Sequence, residues 1–370
     1  MVRSAIEPYL VTAEQMQQIE GHLFAAGMPV AALMEKVGGL LTRWFVSCFA
    51  KQTGCARQGS VCILAGPGHN GGDALVMARE LYALGFDVAV YRPLAEGKPL
   101  TEAHARYVES LGILVTESLP NFADYDAVID GLFGFGLSRP ISGKLAATVA
   151  AINECGTPVY SIDLPSGIHT DTGAQLGSAI RAARTACLGL WKRAFVQESA
   201  LEYLGACDLI DFDIPLPVIE RVLGQTPDVQ RITPSMAMGC LPLNRSVTAH
   251  KYRAGHLLLI AGSRQYAGAA LLSGLGAIAS GVGMLTLAVP ESIRLALLPQ
   301  LPAALLVGCE ETAEGAIAAL PPELTLDKYD AIAFGPGLTP SVPTLLTQLL
   351  SAPCPLLLDA DGLNLLAQTD

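Results

Sequence analysis

Asn70 and Asp73 stand among glycines in Gly66-Pro67-Gly68-His69-Asn70-Gly71-Gly72-Asp73, directly after the apolar run 61–65 and before a helical pattern over 74–84. A buried strand that turns through glycines into a helix N-terminus makes an anion site. Its N–H groups lack partners, the helix dipole adds partial positive charge, and glycine lets a phosphate come close. A plain phosphate cradle needs neither an amide nor a carboxylate. Their presence predicts a loop that holds a nucleotide-like ligand and offers side-chain oxygens to something else. Two more polar clusters follow apolar runs. Asp130 ends Ala127-Val128-Ile129-Asp130 and leads into Gly131-Leu132-Phe133-Gly134-Phe135-Gly136-Leu137-Ser138-Arg139-Pro140. Asp163 ends Tyr160-Ser161-Ile162-Asp163 and leads into Leu164-Pro165-Ser166-Gly167. Taken singly, either aspartate reads as a turn or a helix cap. Three strand ends carrying Asn or Asp with glycines point together to one site, whose hard oxygen donors suit an alkali or alkaline-earth cation better than zinc.

Two other readings compete. Gly66, Gly68 and Gly71 match the G-x-G-x-x-G spacing of dinucleotide folds, a weak signal alone. That fold wants an acidic residue ending the second strand. Here the strand 87–91 ends at Tyr91-Arg92, and Asp87 lies at its start. Arg92 could instead meet a 2′-phosphate, which keeps an NADP-dependent oxidoreductase open. The glycines could also merely pack strand on helix.

The elements that must position these residues alternate. Thr12-Ala13-Glu14-Gln15 is a capping-box start for a helix running to about Gly27, and Leu33, Val37, Leu40, Leu41, Trp44, Phe45 and Cys48 fall on one face of a second helix. Apolar runs at 61–65, 87–91, 113–116, 127–130, 159–162, 185–190 and 208–212 then interleave with helical patterns near 74–84, 101–111 and 143–155. This predicts a doubly wound, Rossmann-like three-layer α/β domain, whose ligands bind at the carboxyl ends of strands. After a linker at 219–234, a second α/β unit begins, so the expected division is 1–218, 219–234 and 235–370. Its marks are His250-Lys251, a strand over 257–261 with Gly262-Ser263, a small-residue helix over 268–280 and a strand over 284–289. Ala331-Ile332-Ala333-Phe334 then enters Gly335-Pro336-Gly337-Leu338, and Leu356-Leu357-Leu358 enters Asp359-Ala360-Asp361-Gly362-Leu363-Asn364.

With 370 residues, 51% hydrophobic and 15% charged, the chain can bury sizeable cores. A net charge of −11 without a Lys/Arg cluster argues against a nucleic-acid partner. Nine cysteines without a metal-type spacing read as reduced thiols of a cytoplasmic protein. No secretory h-region opens the chain, and the uncharged stretch 265–290 reads as a buried helix and strand rather than a membrane span.

Together these motifs resemble the bifunctional NAD(P)H-hydrate repair enzymes, an NAD(P)HX epimerase fused to a ribokinase-like, ADP-dependent dehydratase. The likeness covers essentially the whole chain. It rests first on 68–73, on Asp130 with Gly134-Phe135-Gly136, and on 163–167. In the second half it rests on His250-Lys251, Gly262-Ser263 with Gly268-Ala269, Gly335-Pro336-Gly337-Leu338, and 359–364. His69, Ala74 and Tyr252 depart from the usual Asn, Gly and Gly. The family's His-Pro-Gly-Glu segment, Lys-Gly loop and Gly-x-Gly-Asp aspartate do not occur before Asp370, so the second half is expected to be an incomplete ribokinase-like domain with a bared sheet edge at 356–358 and no dehydration.

The resemblance implies conversion of R-NAD(P)HX to S-NAD(P)HX, with Asp163 as acid/base. It implies substrate contacts from His69, Asn70, Gly71, Gly72, Asp73, Gly134, Phe135, Gly136, Leu137, Ser138, Arg139, Pro140 and Asp163. Potassium would be held by Asn70, Asp130 and Ser166. Ala269 and Gly337 would contact substrate in the dehydratase half, which would use ADP or ATP. A homo-oligomer is also expected. The alternatives are a non-catalytic nucleotide-binding or interaction protein and the oxidoreductase above.

Overall fold

The computed structural model describes residues 3–54, 59–94, 96–241, 250, 253–339 and 343–368; Lys251 and Tyr252 lie outside them. The chain divides into two compact units, Met1–Pro234 and Ser235–Asp370.

The first unit opens with β1 (Leu10–Val11), α1 (Ala13–Ala25) and α2 (Val30–Thr53). Thr12 caps α1 in the reciprocal box with Gln15 that the sequence predicts. Then come β2 (Ser60–Ala65), α3 (His69–Ala83), β3 (Asp87–Tyr91), α4 (Pro99–Ser110), β4 (Leu114–Thr116), β5 (Ala127–Gly131), α5 (Gly143–Glu154), β6 (Val159–Ile162), β7 (Arg184–Leu188), β8 (Trp191–Lys192), α6 (Leu201–Leu204), β9 (Ala206–Ile210) and α7 (Leu216–Leu223). Seven strands form one sheet in the order β4-β3-β2-β5-β6-β7-β9, and every pair in it is parallel. Strand residues alternate between two cores. Val61, Ile63 and Ala65 pack with residues of α1 and α2, such as Ile19, Leu41 and Phe45, while Cys62 and Leu64 pack with Val149 and Ile152 of α5. A sheet covered on both faces gives three layers, as expected for a parallel sheet. The chain reverses its winding between β2 and β5, so the crevice at their carboxyl ends is the ligand position of such a sheet.

Two details differ from the sequence reading. The helix predicted from 74 starts at His69, so Asn70 and Asp73 stand in its first turns rather than in a loop. Gly71 and Gly72 are helical and buried: a Cβ on Gly71 would meet the Gly66 carbonyl, and one on Gly72 would meet the Met34 thioether. The glycines therefore serve close packing here, and no turn is needed to explain them. The apolar run 185–190 also splits. Its second part, β8, leaves the large sheet and pairs in parallel with β1, Val11 opposite Lys192.

The second unit contains α8 (Pro234–Cys240), β10 (His256–Ile260), α9 (Ala267–Ala279), β11 (Met284–Pro290), α10 (Glu291–Leu297), β12 (Ala304–Glu311), β13 (Ile317–Ala319), β14 (Ala331–Phe334), α11 (Pro343–Leu350), β15 (Leu356–Leu358) and α12 (Asp361–Leu366). Its six strands run β13-β12-β11-β10-β14-β15, with only β13 antiparallel. β15 is the edge, with Leu357 exposed. The winding reverses between β10 and β14, where the Gly262 N–H donates to the Pro336 carbonyl at 2.8 Å. Among the described residues, no helix is long and apolar enough to cross a membrane.

Candidate active site

Asp130 lies near the carboxyl end of β5, fully buried. Its Oδ1 accepts from the Ser166 hydroxyl at 2.6 Å and the Leu132 N–H at 3.2 Å. Its Oδ2 accepts from the Ser161 hydroxyl at 2.9 Å and the Ser166 N–H at 2.8 Å. Burial raises this carboxyl above the ordinary aspartate range, and the hydrogen bonds from Ser166, Ser161 and Leu132 oppose the rise. The Ser166 hydroxyl also accepts from the Phe133 N–H at 3.0 Å, which ties the loop after β5 to the loop after β6.

Asp163 follows β6 with a backbone φ of 68°, a left-handed conformation that aspartate tolerates better than most residues. The bend turns its carboxylate toward the switch-point crevice. Oδ2 accepts from the Phe135 N–H at 2.9 Å, and Oδ1 accepts from Lys192 Nζ at 2.5 Å. Lys192 has no exposed side-chain surface and also donates to the Leu188 carbonyl at 2.6 Å. Burial pulls the ammonium toward neutrality, but Asp163 and the other negative groups around it win, and its pKa ends above the usual lysine value. Gly134 completes the pocket wall. A Cβ there would lie 2.9 Å from Asp163 Oδ2 and 3.2 Å from Asn70 Oδ1, so only glycine lets these two side chains approach the same spot. The Asn70 Nδ2 is buried and finds no protein partner.

Around this centre lie further titratable groups. Burial drives the Asp73 carboxyl well above the usual range, with Glu20 and Asp163 adding to the rise. Glu20, half-buried on α1, is pushed up to about 7 by burial; Lys192 and Lys98 oppose that shift and Asp163 reinforces it. His69 Nε2 is 3.5 Å from Lys98 Nζ, and burial followed by that charge lowers its pKa. These carboxyls, Asn70 and the Asp163–Lys192 pair collect where β2 and β5 diverge.

Of the residues read from sequence, Asn70, Gly134, Phe135 and Asp163 share this spot, and Asp130 and Ser166 form a second, adjoining cluster. Phe135 packs under Lys192, whose Nζ is 5.7 Å from the ring centroid. Ser138, Arg139 and Pro140 are solvent-exposed at the loop's outer part. Arg92, considered as a 2′-phosphate ligand, is buried and paired with Glu102 at 2.5 Å. That pairing removes the residue on which the oxidoreductase reading rested. Glu20 and Lys192 escaped the sequence reading, although each carried a signal. Glu20 follows Met16 by four positions on the buried face of α1, and Lys192 interrupts the apolar run Leu188-Gly189-Leu190-Trp191. In the second unit, Ala269 and Gly337 do come together. A Cβ on Gly337 would sit 2.7 Å from that of Ala269, beside a cavity lined by Gln265, Tyr266, Gly337, Thr339 and Asp361. The Thr339 N–H donates to Asp361 Oδ2 at 2.9 Å, so the loops after β14 and β15 close on each other.

Comparison with known proteins agrees with both halves. Residues 30–194 match the family described as YjeF-related protein N-terminus, and residues 257–370 match the family described as NAD(P)H-hydrate dehydratase. The bifunctional NAD(P)H-hydrate repair enzyme of Thermosynechococcus vestitus is 49% identical over 360 residues, which cover 97% of this chain and 70% of that protein. Its counterpart in Synechocystis is 50% identical over 364 residues, covering 97% of this chain and 68% of that protein. Among solved structures, an ADP/ATP-dependent NAD(P)H-hydrate dehydratase from Bacillus subtilis, co-crystallised with ATP and magnesium, is 36% identical. It covers 35% of this chain and 46% of that chain, with a TM-score of 0.29. The chain belongs to the family of bifunctional NAD(P)H-hydrate repair enzymes.

Proposed function

We propose that the first unit interconverts the R and S epimers of hydrated NADH and NADPH in the crevice between β2 and β5. The second unit is of the type that returns the S epimer to NAD(P)H with ADP or ATP. The observation that carries the epimerase reading is the buried Asp163–Lys192 pair, set beside the Asn70 amide at the topological switch point.

The chemistry follows from the substrate. The inverted carbon bears a hydroxyl and is bonded to the ring nitrogen. Protonation of that oxygen lets the C–O bond break with water leaving, while the nitrogen lone pair forms a C=N bond. Water then adds from the opposite face and returns the proton. Asp163 is the acid/base at that oxygen, because its carboxylate faces the crevice and is held by the Phe135 N–H and Lys192. Positioned proton transfer of this kind contributes about 100- to 10,000-fold. His69–Asp73 and Gly134–Pro140 line the nucleotide portion, and the N-terminus of α3 suits its pyrophosphate.

Asn70, Asp130 and Ser166 would hold a potassium ion. Their donors are oxygens only, and the buried Asp130 charge is balanced by hydrogen bonds without a cationic side chain among its partners, which fits an alkali cation. Bound there, the ion supplies positive charge beside the crevice. In the second unit, Ala269 and Gly337 would meet the nicotinamide part. We further propose that the protein acts as a homo-oligomer in the cytoplasm on this small-molecule substrate.

The test is re-equilibration of separated NADHX epimers. The protein is expected to accelerate it in potassium buffer, with no change at the reduced-nicotinamide absorbance. A rate equal to the uncatalysed one overturns the epimerase reading, and an undiminished rate in tetramethylammonium overturns the potassium site.

A further inference from the structure

Within the epimerase reading, one requirement is not met by the groups already assigned. Asp163 is engaged as a carboxylate by a buried ammonium at 2.5 Å and by the Phe135 N–H. It can accept a proton but does not start with one to give. Lys192 is a poor donor, because the negative groups around it strengthen its hold on its proton. The proton that the leaving oxygen needs must therefore come from a neighbour.

We infer that Glu20 supplies this proton and takes it back, acting through Asp163, with Asp73 as the carboxyl that shares its charge. The geometry rests on how α1 is fastened. β1 pairs with the strand that carries Lys192, placing Val11 opposite it. The Ala13 N–H at the start of α1 donates to Asp171 Oδ1 at 2.7 Å, and the preceding residue, Thr170, donates to the Phe135 carbonyl at 2.7 Å. The helix is thus locked to both the lysine strand and the loop that holds Asp163. Met16, Ile19 and Leu23 turn its buried face inward, and Glu20 lies on that stripe. The charged and titratable groups facing it are Lys192 from β8, Asp163 after β6, Lys98 ahead of α4 and Asp73 on α3. Three carboxyls around one buried ammonium and one outer lysine cannot all ionise cheaply, so the cluster keeps a proton. Burial holds Glu20 protonated up to about pH 7, the range in which a group can both give and recover a proton.

The step balances. The Glu20 proton passes by way of Asp163 to the hydroxyl oxygen, the C–O bond breaks with its electron pair, and water leaves. Water re-adds to the other face, the new C–O bond forms, and the surplus proton returns along the same path to Glu20. No oxidant or reductant enters.

The experiment follows NADHX epimer exchange across pH for the full chain and for the Glu20→Gln and Glu20→Asp variants. The unsubstituted protein is expected to lose rate as pH rises through about 7. Glu20→Gln should lower kcat by about 100-fold or more, change KM by less than about threefold and erase that alkaline limb. Glu20→Asp should restore part of the rate and the limb. A Glu20→Gln enzyme with the normal rate, or one slowed with the limb intact, overturns the inference while leaving the epimerase reading standing. No acceleration by the unsubstituted protein overturns both. Should Glu20→Gln fail to fold, carbon-detected NMR of the unsubstituted protein decides: a glutamate carboxyl titrating near neutrality is expected, and its absence refutes the assignment.

Discussion

Asp163 and Lys192 illustrate why a buried pair must be treated as one object. Removing one partner leaves the other charge in a dry site, at a cost of about 3–5 kcal/mol, whereas replacing both by neutral groups is often close to neutral. Asp163→Asn should therefore lose epimerase turnover by at least about 100-fold and also lower the unfolding midpoint. Adding Lys192→Met to that variant should recover most of the stability and none of the turnover. Recovery of turnover in the double variant would show that the pair is structural. Glu20 gives a second residue-level expectation, with the opposite sense. Its folded pKa of about 7 lies above the unfolded glutamate value, so the native state binds more protons between the two and stability falls as pH rises. Glu20→Gln should match the unsubstituted protein below about pH 4.5 and be more stable above about pH 7. For a half-buried group the gap is on the order of 1–2 kcal/mol. Denaturant titrations at two pH values check it, and equal midpoints at both would contradict the shift.

At the scale of elements, the strand–helix alternation was legible because apolar runs and one-face helical spacing survive in sequence. The capping box of α1 named its start to the residue. The misplaced start of α3 has a physical cause: glycine pairs read as turn residues, and their other use, close backbone approach, depends on a partner that sequence does not show. The same blindness hid Lys192, whose strand leaves the main sheet to pair with β1. Asp130, Asp163 and Asn70 were legible because parallel sheets place such residues at strand ends. The opposite demands on two helical glycines make a test. Gly21 on α1 has nothing within 4 Å of an added Cβ, so Gly21→Ala should stabilise by about 0.5–1 kcal/mol through helix propensity. Gly71→Ala gains the same propensity but drives its methyl into the Gly66 carbonyl, and should destabilise by about 1–3 kcal/mol. Equal effects in chemical denaturation would mean that α3 does not press on the loop before it.

For the whole molecule, the first unit carries its own fastening. Beyond β9, Ile219 of α7 is fully buried against the core that holds α1. Residues after α7 then return to the chain's beginning. Gln230 bridges Tyr9, the Arg231 N–H donates to the Pro8 carbonyl at 2.8 Å, and the Arg231 guanidinium stacks 5.0 Å from the Trp191 ring. Trp191 precedes Lys192, and Pro8 and Tyr9 precede β1, so this return strap clamps the two-stranded pair that positions both the lysine and α1. We therefore propose that residues 1–234 form the folding and catalytic unit of the epimerase, and that 219–234 are part of its structure. A fragment of residues 1–234 should exchange NADHX epimers at the full chain's rate. A fragment of residues 1–218 loses Ile219 and the strap, and should drop its unfolding midpoint by more than about 5 °C, since 1 kcal/mol corresponds to about 2–4 °C at this size. Its turnover should fall with that loss, because β8 and α1 would no longer be clamped together. Equal stability and rate for the two fragments would show that the strap is a passive linker and would return the boundary to 218.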